Sequence, residues 1–174
     1  MRKLTKRATL LASSAVMALP AVVVSGGAAH ADQPFPYVSV RIWGSTHCMD
    51  NAVQNAETVQ MWNCTGVPEQ KWQDRPNQAT GTFALVNQNT NYCLDALAQG
   101  DGPVVMGPCT ASNTQQWITL FADNPSPFTN GAYAVIENVA SSQCLNTSSV
   151  ANGTVLRTWP CDITAHYQKW HFDF

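Results

Sequence analysis

Asp50, Gln60, Trp62 and Gln70 bring an acid, two amides and an indole into one short stretch of chain. An ionised carboxylate only accepts hydrogen bonds, and the charge-assisted bonds it forms are the stronger kind. A glutamine amide both donates and accepts. An indole adds a flat apolar face. Such a set matches a ring that carries neighbouring hydroxyls along its rim and C–H bonds on one face, the surface of a neutral sugar. Cys48 and Cys64 bracket most of the set. A bridge between them would hold Asp50 near Trp62 and limit the ordering cost of binding.

The elements behind these residues occur three times. Cys48-Met49-Asp50, Cys93-Leu94-Asp95 and Cys144-Leu145-Asn146 each open a segment that continues to a second cysteine, Cys64, Cys109 or Cys161. Each segment closes on a Gln-x-Trp triplet: Gln70-Lys71-Trp72, Gln115-Gln116-Trp117 and Gln168-Lys169-Trp170. The cysteines lie 16, 16 and 17 residues apart, and the glutamine follows 6, 6 and 7 residues later. A whole constellation recurring at this period is one supersecondary unit in three copies. The copies run about 37–77, 81–122 and 131–174, joined by turn-rich stretches around Pro76–Gly81 and Asp123–Pro127.

The copies are not chemically equal. The second keeps Asp95 and Gln115 but has Val105 in place of Gln60 and Gly107 in place of Trp62. That predicts a dead or weak site unless Tyr92 supplies the missing plane. The third keeps Trp159 and Gln168, adds Tyr167, and exchanges acid and amide for Asn146 and Arg157. Trp72, Trp117 and Trp170 recur even where the other site residues are lost, which predicts core positions. Gly107 shows that the repeat tolerates the loss of an aromatic at the place of Trp62 and Trp159. The glutamines can serve buried backbone groups, a ligand, or both. Asp50 and Asp95 can also serve as turn caps. Trp43 has no counterpart in the alignment of the copies, and His47, His166 and His171 read as solvent-facing or packing residues.

Residues 1–31 read as a secretory leader: Arg2, Lys3, Lys6 and Arg7, an apolar run from Ala8 to Val24, and Ala29-His30-Ala31 as cleavage site. Pro20 and several Ser/Thr interrupt the run, which falls short of the roughly 20 apolar residues of a membrane span. Secretion and an extracellular location follow as expectations, with 32–174 as the mature domain. The leader holds four of the nine basic residues and none of the eleven acidic ones, leaving a net charge of about −6. Arg41, Lys71, Arg75, Arg157 and Lys169 are scattered. No basic cluster exists to neutralise phosphates, so a nucleic-acid partner is set aside.

Six cysteines behind a leader read as three disulfides, and the repeat selects Cys48–Cys64, Cys93–Cys109 and Cys144–Cys161 from the possible pairings. With neither a C-x2-C spacing nor a Cys/His cluster, no metal or other cofactor is expected. Tyr37–Trp43, Phe83–Val86 and Tyr133–Ile136 form one set of short β-type runs, and Val59–Trp62, Val104–Met106 and Val155–Arg157 form a second. No stretch of the mature chain sustains helical periodicity. The class is all-β, and three copies of about four strands each would bury their apolar faces in a closed barrel with a hairpin cap.

The triplicated Cys-x-Asp, Cys and Gln-x-Trp order resembles the ricin B-type lectin family, over essentially all of residues 37–174. The resemblance implies a β-trefoil and a non-catalytic carbohydrate-binding protein. Its expected ligands are galactosides, xylan or another neutral polysaccharide. The matching site positions are Asp50, Gln60, Trp62 and Gln70, with Asn146, Trp159, Tyr167 and Gln168 in the third copy. Glu69 stands where the family often has asparagine, which bears on the hydroxyl pattern. A glycosidase is the less favoured reading, since the acids fall mostly one per copy and no nucleophile motif occurs. A protein-binding trefoil with decayed sugar sites, either a toxin attachment subunit or an inhibitor, is the alternative, and a separate enzyme or toxin could be the partner. The sequons at Asn63, Asn146 and Asn152 matter only in a glycosylating host.

Overall fold

Most of the short β-type runs form strands, which bury Val40, Ile42, Val59, Met61, Leu85 and Ile136 in the core. A computed structural model of the chain describes residues 35–174, apart from 53, 55–56, 98–100 and 123–131. The leader and the stretch at Asp123–Pro127 lie outside the described residues. Twelve strands follow in chain order: β1 (Val38–Ile42), β2 (His47–Asn51), β3 (Val59–Asn63), β4 (Lys71–Asn77), β5 (Thr82–Asn87) and β6 (Cys93–Asp95). They continue with β7 (Val105–Gly107), β8 (Trp117–Ala122), β9 (Ala134–Asn138), β10 (Cys144–Asn146), β11 (Arg157–Trp159) and β12 (Trp170–Asp173).

Six of these strands close a ring of antiparallel pairs. β1 pairs with β4, β4 with β5, β5 with β8, β8 with β9, β9 with β12, and β12 returns to β1. Closure leaves none of the six as an open edge. The Arg41 guanidinium meets the Asp173 carboxylate at 2.9 Å across the seam between first and last strands. The other six strands form three hairpins, β2–β3, β6–β7 and β10–β11. Single bridges, Thr58–Val105, Gln60–Val155 and Pro103–Arg157, tie the hairpins to one another in a triangle. This is a β-trefoil: a six-stranded barrel with a triplet of hairpins.

The third strand run differs from the sequence expectation. Val155 pairs with Gln60 of the first copy, and β11 starts at Arg157. The tertiary bridge takes the backbone that the alternating pattern assigned to the local hairpin. A second feature was not foreseen: a single 3₁₀ turn precedes the last strand of each copy, at Pro68–Gln70, Asn113–Gln115 and His166–Gln168. The last residue of each turn is the glutamine of Gln-x-Trp.

Trp72, Trp117 and Trp170 are fully buried in one core with Val40, Ile42, Leu85 and Ile136. A buried indole N–H needs a partner. Each finds it in the carbonyl between the first cysteine and the acid or amide: Met49 at 2.9 Å, Leu94 at 3.2 Å and Leu145 at 2.9 Å. Gln-x-Trp thereby fixes the backbone of its own hairpin. The three disulfides join the expected pairs, with Cα–Cα distances of 5.1, 5.0 and 4.9 Å. In the chain-entropy account each stabilises the fold by about 3 kcal/mol.

Candidate functional site

Antiparallel pairing of β2 and β3 sets Asp50 opposite Gln60 and Cys48 opposite Trp62. Alternation sends Met49, Met61 and Val59 into the core and puts Asp50, Gln60 and Trp62 on the other face of the same hairpin. Asp50 is nearly buried while Trp62 is 40% exposed, so the acid forms the floor and the indole a wall. Gln54, Thr65, Val67, Glu69 and Gln70 complete the lining of a concavity of about 180 Å³. All five first-copy residues expected at a site (Asp50, Gln60, Trp62, Glu69 and Gln70) lie in this one concavity.

The floor is fully braced. Gln60 Nε2 donates to Asp50 Oδ1 at 3.0 Å, and Gln70 Nε2 donates to Asp50 Oδ2 at 3.1 Å and to the Asn63 carbonyl at 2.9 Å. Gln70 Oε1 accepts from the backbone N–H of Thr65 at 2.7 Å and of Gly66 at 3.2 Å. Gln70 thus uses both ends of its amide internally, and its part in the site is to aim the acid. Each oxygen of Asp50 retains acceptor capacity beyond its one amide partner. The arrangement can accept two hydroxyl protons at the floor and offer an apolar plane at the wall.

The second copy repeats half of this. Gln115 Nε2 donates to Asp95 Oδ2 at 2.9 Å and to the Pro108 carbonyl at 2.9 Å. Val105 stands opposite Asp95, where Gln60 stands opposite Asp50. In consequence Asp95 Oδ1 is buried with no hydrogen-bond partner among the described residues. Gly107 leaves the wall open, and Tyr92 is 39% exposed.

The third copy inverts the emphasis. Asn146 stands opposite Arg157, and among the described residues no hydrogen bond joins Gln168 to Asn146. Instead Gln168 spans the Pro160 carbonyl and the Asp162 N–H, at 2.9 and 2.8 Å. The Thr164 hydroxyl and backbone N–H both donate to Asp162, holding its carboxyl below the usual range. Trp159, Tyr167, Asn146 and Gln168 line a concavity of about 480 Å³, more than twice the first. Arg157 lies 5.5 Å from the Trp159 ring centroid.

Three contributors were not singled out in the sequence: Gln54, Thr65 and Val67. Gln54 lies in the loop between β2 and β3, where no repeat signal exists. Thr65 and Val67 lie inside the motif spacing, but nothing in their types marks them. Among the histidines, His171 is buried, bonded to the Ala132 carbonyl and 2.9 Å from Asp173. Among the described residues no group of His, Cys, Asp and Glu is placed to hold a metal ion, and no helix is long and apolar enough to cross a membrane.

The family model for the ricin-type beta-trefoil lectin domain matches residues 33–117 and 81–174. A comparison with curated protein sequences finds no significant match. Among solved structures, the designed three-fold symmetric protein ThreeFoil superposes with a TM-score of 0.68 at 17% identity, covering 79% of this chain and 99% of its own. The hemolytic lectin CEL-III gives 0.64 at 21% identity over 81% of this chain and 33% of its own. An exo-β-1,3-galactanase from Clostridium thermocellum gives 0.66 at 19% identity over 79% of this chain and 30% of its own. The chain thus spans about a third of the latter two proteins. A three-copy barrel, three bridged hairpins and a family match across both overlapping halves agree: the chain belongs to the ricin-type β-trefoil lectin domain family, a family of carbohydrate-binding modules.

Proposed function

We propose that this chain is a secreted, non-catalytic lectin that binds galactose-type or related neutral glycans, with the first copy as its principal site. One observation carries the reading: Asp50 and Trp62 open onto the same concavity, with Gln60 and Gln70 aiming the acid. The carboxylate accepts two vicinal hydroxyls, Trp62 stacks on the C–H face, and Glu69 at the rim selects among hydroxyl patterns. Its three disulfides support an oxidising, extracellular setting, and the mature chain begins at Asp32. Single shallow pockets bind weakly, so avidity arises from a second live copy or a multivalent glycan.

The test is a glycan array and polysaccharide pull-down with residues 32–174, against Trp62→Ala. Weakened galactoside or xylan retention in the variant supports the assignment, and equal retention removes the first copy from it. Turnover of xylan, galactan or nitrophenyl glycosides would overturn the non-catalytic part.

A protein-binding trefoil is the second reading. It draws on Val105 and Gly107 beside Asp95, where the first copy has Gln60 and Trp62, and on the loss of the carboxylate at Asn146. Co-purification with a protein, without retention on any sugar column, would favour it.

A further inference from the structure

The third pocket continues beyond its own copy onto a ridge of rings. His166 and Tyr167 line the concavity, and their rings lie 5.5 Å apart. His166 meets Trp43 at 6.5 Å, and Trp43 meets Tyr133 at 5.3 Å. Lys169 Nζ caps the Tyr133 ring at 4.8 Å. Trp43 and Tyr167 are 39% and 40% exposed, so the ridge presents these two residues to solvent.

The ridge is a property of this pocket alone. Trp43 has no counterpart in the spacing of the motifs, but the backbone supplies one. Its N–H donates to the Lys169 carbonyl at 2.8 Å, as Gln88 N–H does to Lys71 and Val139 N–H to Gln116, both at 2.9 Å. Those acceptors are the middle residues of the three Gln-x-Trp triplets. Trp43 is therefore equivalent to Gln88 and Val139. By the same register His166 is equivalent to Pro68 and Asn113, and Tyr167 to Glu69 and Thr114. The first and second pockets have nothing aromatic at these three places.

We propose that the third pocket and the ridge His166–Trp43–Tyr133 form one extended site for an oligosaccharide, with Trp43 stacking on a unit beyond the one held by Trp159 and Asn146. This rests on the sugar-binding reading of the fold and deepens it. The loss of the carboxylate weakens the hold on any single unit, and a second aromatic platform offsets that loss by spreading the contact along the chain. His166 and Tyr167 belong both to the concavity and to the ridge, so the two are continuous. Exposed aromatic rings fit the C–H faces of linked pyranoses and cost little side-chain ordering, because Trp43 already contacts Tyr133 and His166.

A structural role competes with this. Asn87 and Asn138, one residue before Gln88 and Val139, each pin the neighbouring 3₁₀ turn through Nδ2. Ile42 stands at their place in the first copy, so the contact of Trp43 with His166 could merely substitute for that pin. The test separates the two. Trp62→Ala silences the first pocket, and in that background galactose and β-linked galacto-oligosaccharides of two to four units are titrated calorimetrically, with xylose and xylo-oligosaccharides as a parallel series. Affinity should rise about 3- to 10-fold from one unit to three, the range of one aromatic contact. Adding Trp43→Gln, which copies the second repeat, should abolish that rise. A rise that survives Trp43→Gln, or a variant that only loses thermal stability, overturns the proposal. Loss of all binding on Trp62→Ala overturns it too, leaving the first-pocket lectin intact. A wild-type chain that binds neither series overturns the sugar reading and the ridge with it.

Discussion

Gln70 holds the Asp50 carboxylate at 3.1 Å, whereas among the described residues Gln168, its equivalent in the third copy, makes no bond to Asn146 and holds the Pro160 carbonyl instead. One replaced side chain uncouples the Gln-x-Trp motif from the pocket floor while leaving its structural bonds in place. The recurring glutamine is thus a positioning residue whose partner decides whether a charged floor exists.

Replacing Gln70 by leucine removes its bonds to the Asp50 carboxylate, the Asn63 carbonyl and the N–H groups of Thr65 and Gly66. A bond of this kind contributes about 0.5–1.5 kcal/mol, so Gln70→Leu should destabilise by about 2–4 kcal/mol and remove first-pocket binding. Gln168→Leu should cost less, since it strands only the Pro160 carbonyl and the Asp162 N–H. Urea unfolding of both variants checks the order.

Asp50→Asn converts the first floor to the chemistry of the third. Bonds to a charged partner contribute about 1.5–3 kcal/mol against about 1 for neutral ones. Affinity for the glycan selected on the array should fall about 10-fold or more, with a modest fall in the unfolding midpoint because the bonds from Gln60 and Gln70 lose their charged acceptor. An Asp50→Asn protein that binds as tightly as wild type would show that the carboxylate does not grip the ligand.

The second copy can be rebuilt. Val105→Gln would give Asp95 Oδ1 the partner it lacks, and Gly107→Trp would supply the wall. A Cβ at Gly107 meets Gln115 Nε2 at 3.4 Å and Asp95 Oδ2 at 3.6 Å, ordinary contact that the site accommodates. The double variant should raise the number of bound glycans per chain by one in a calorimetric titration. An unchanged stoichiometry counts against the reading of Gln60 and Trp62.

Asp74 makes stability depend on pH. Its side chain is buried on β4, Oδ1 has no partner among the described residues, and desolvation raises its pKa to about 6. The folded state therefore holds the proton more tightly than the unfolded chain. That stabilisation is complete below the unfolded value near 3.8 and is lost as pH rises through about 6. The shift is worth up to about 3 kcal/mol. Wild type should lose stability between pH 4 and 7 relative to Asp74→Asn, and Asp74→Asn should unfold at a higher temperature at pH 7. Parallel melting curves at each pH would contradict this.

The two classes of tryptophan should separate cleanly. Trp117→Ala opens the core and should cost about 3–5 kcal/mol, whereas Trp62→Ala at an exposed hairpin position should change stability by about 0.5 kcal/mol or less. Denaturant titration distinguishes them, and a large loss on Trp62→Ala would assign that ring to the fold.

By themselves, the residues determined the three-fold unit, the disulfide pairing, the all-β class and the split between core and pocket tryptophans. Each depends on local spacing, and a motif copied three times reports which positions the unit needs and which it tolerates losing. Gly107 already showed that an aromatic wall is optional. Only the tertiary structure decided what happens where copies meet. Val155 left its local hairpin for Gln60, Asn87 and Asn138 reached back to pin the preceding turn, and the Trp43 ring met His166 at the far end of the chain. These are contacts between residues roughly 20 to 120 positions apart, set by closure of the barrel. Alternation within a strand gives the face of a side chain, and only the closed ring gives its neighbour.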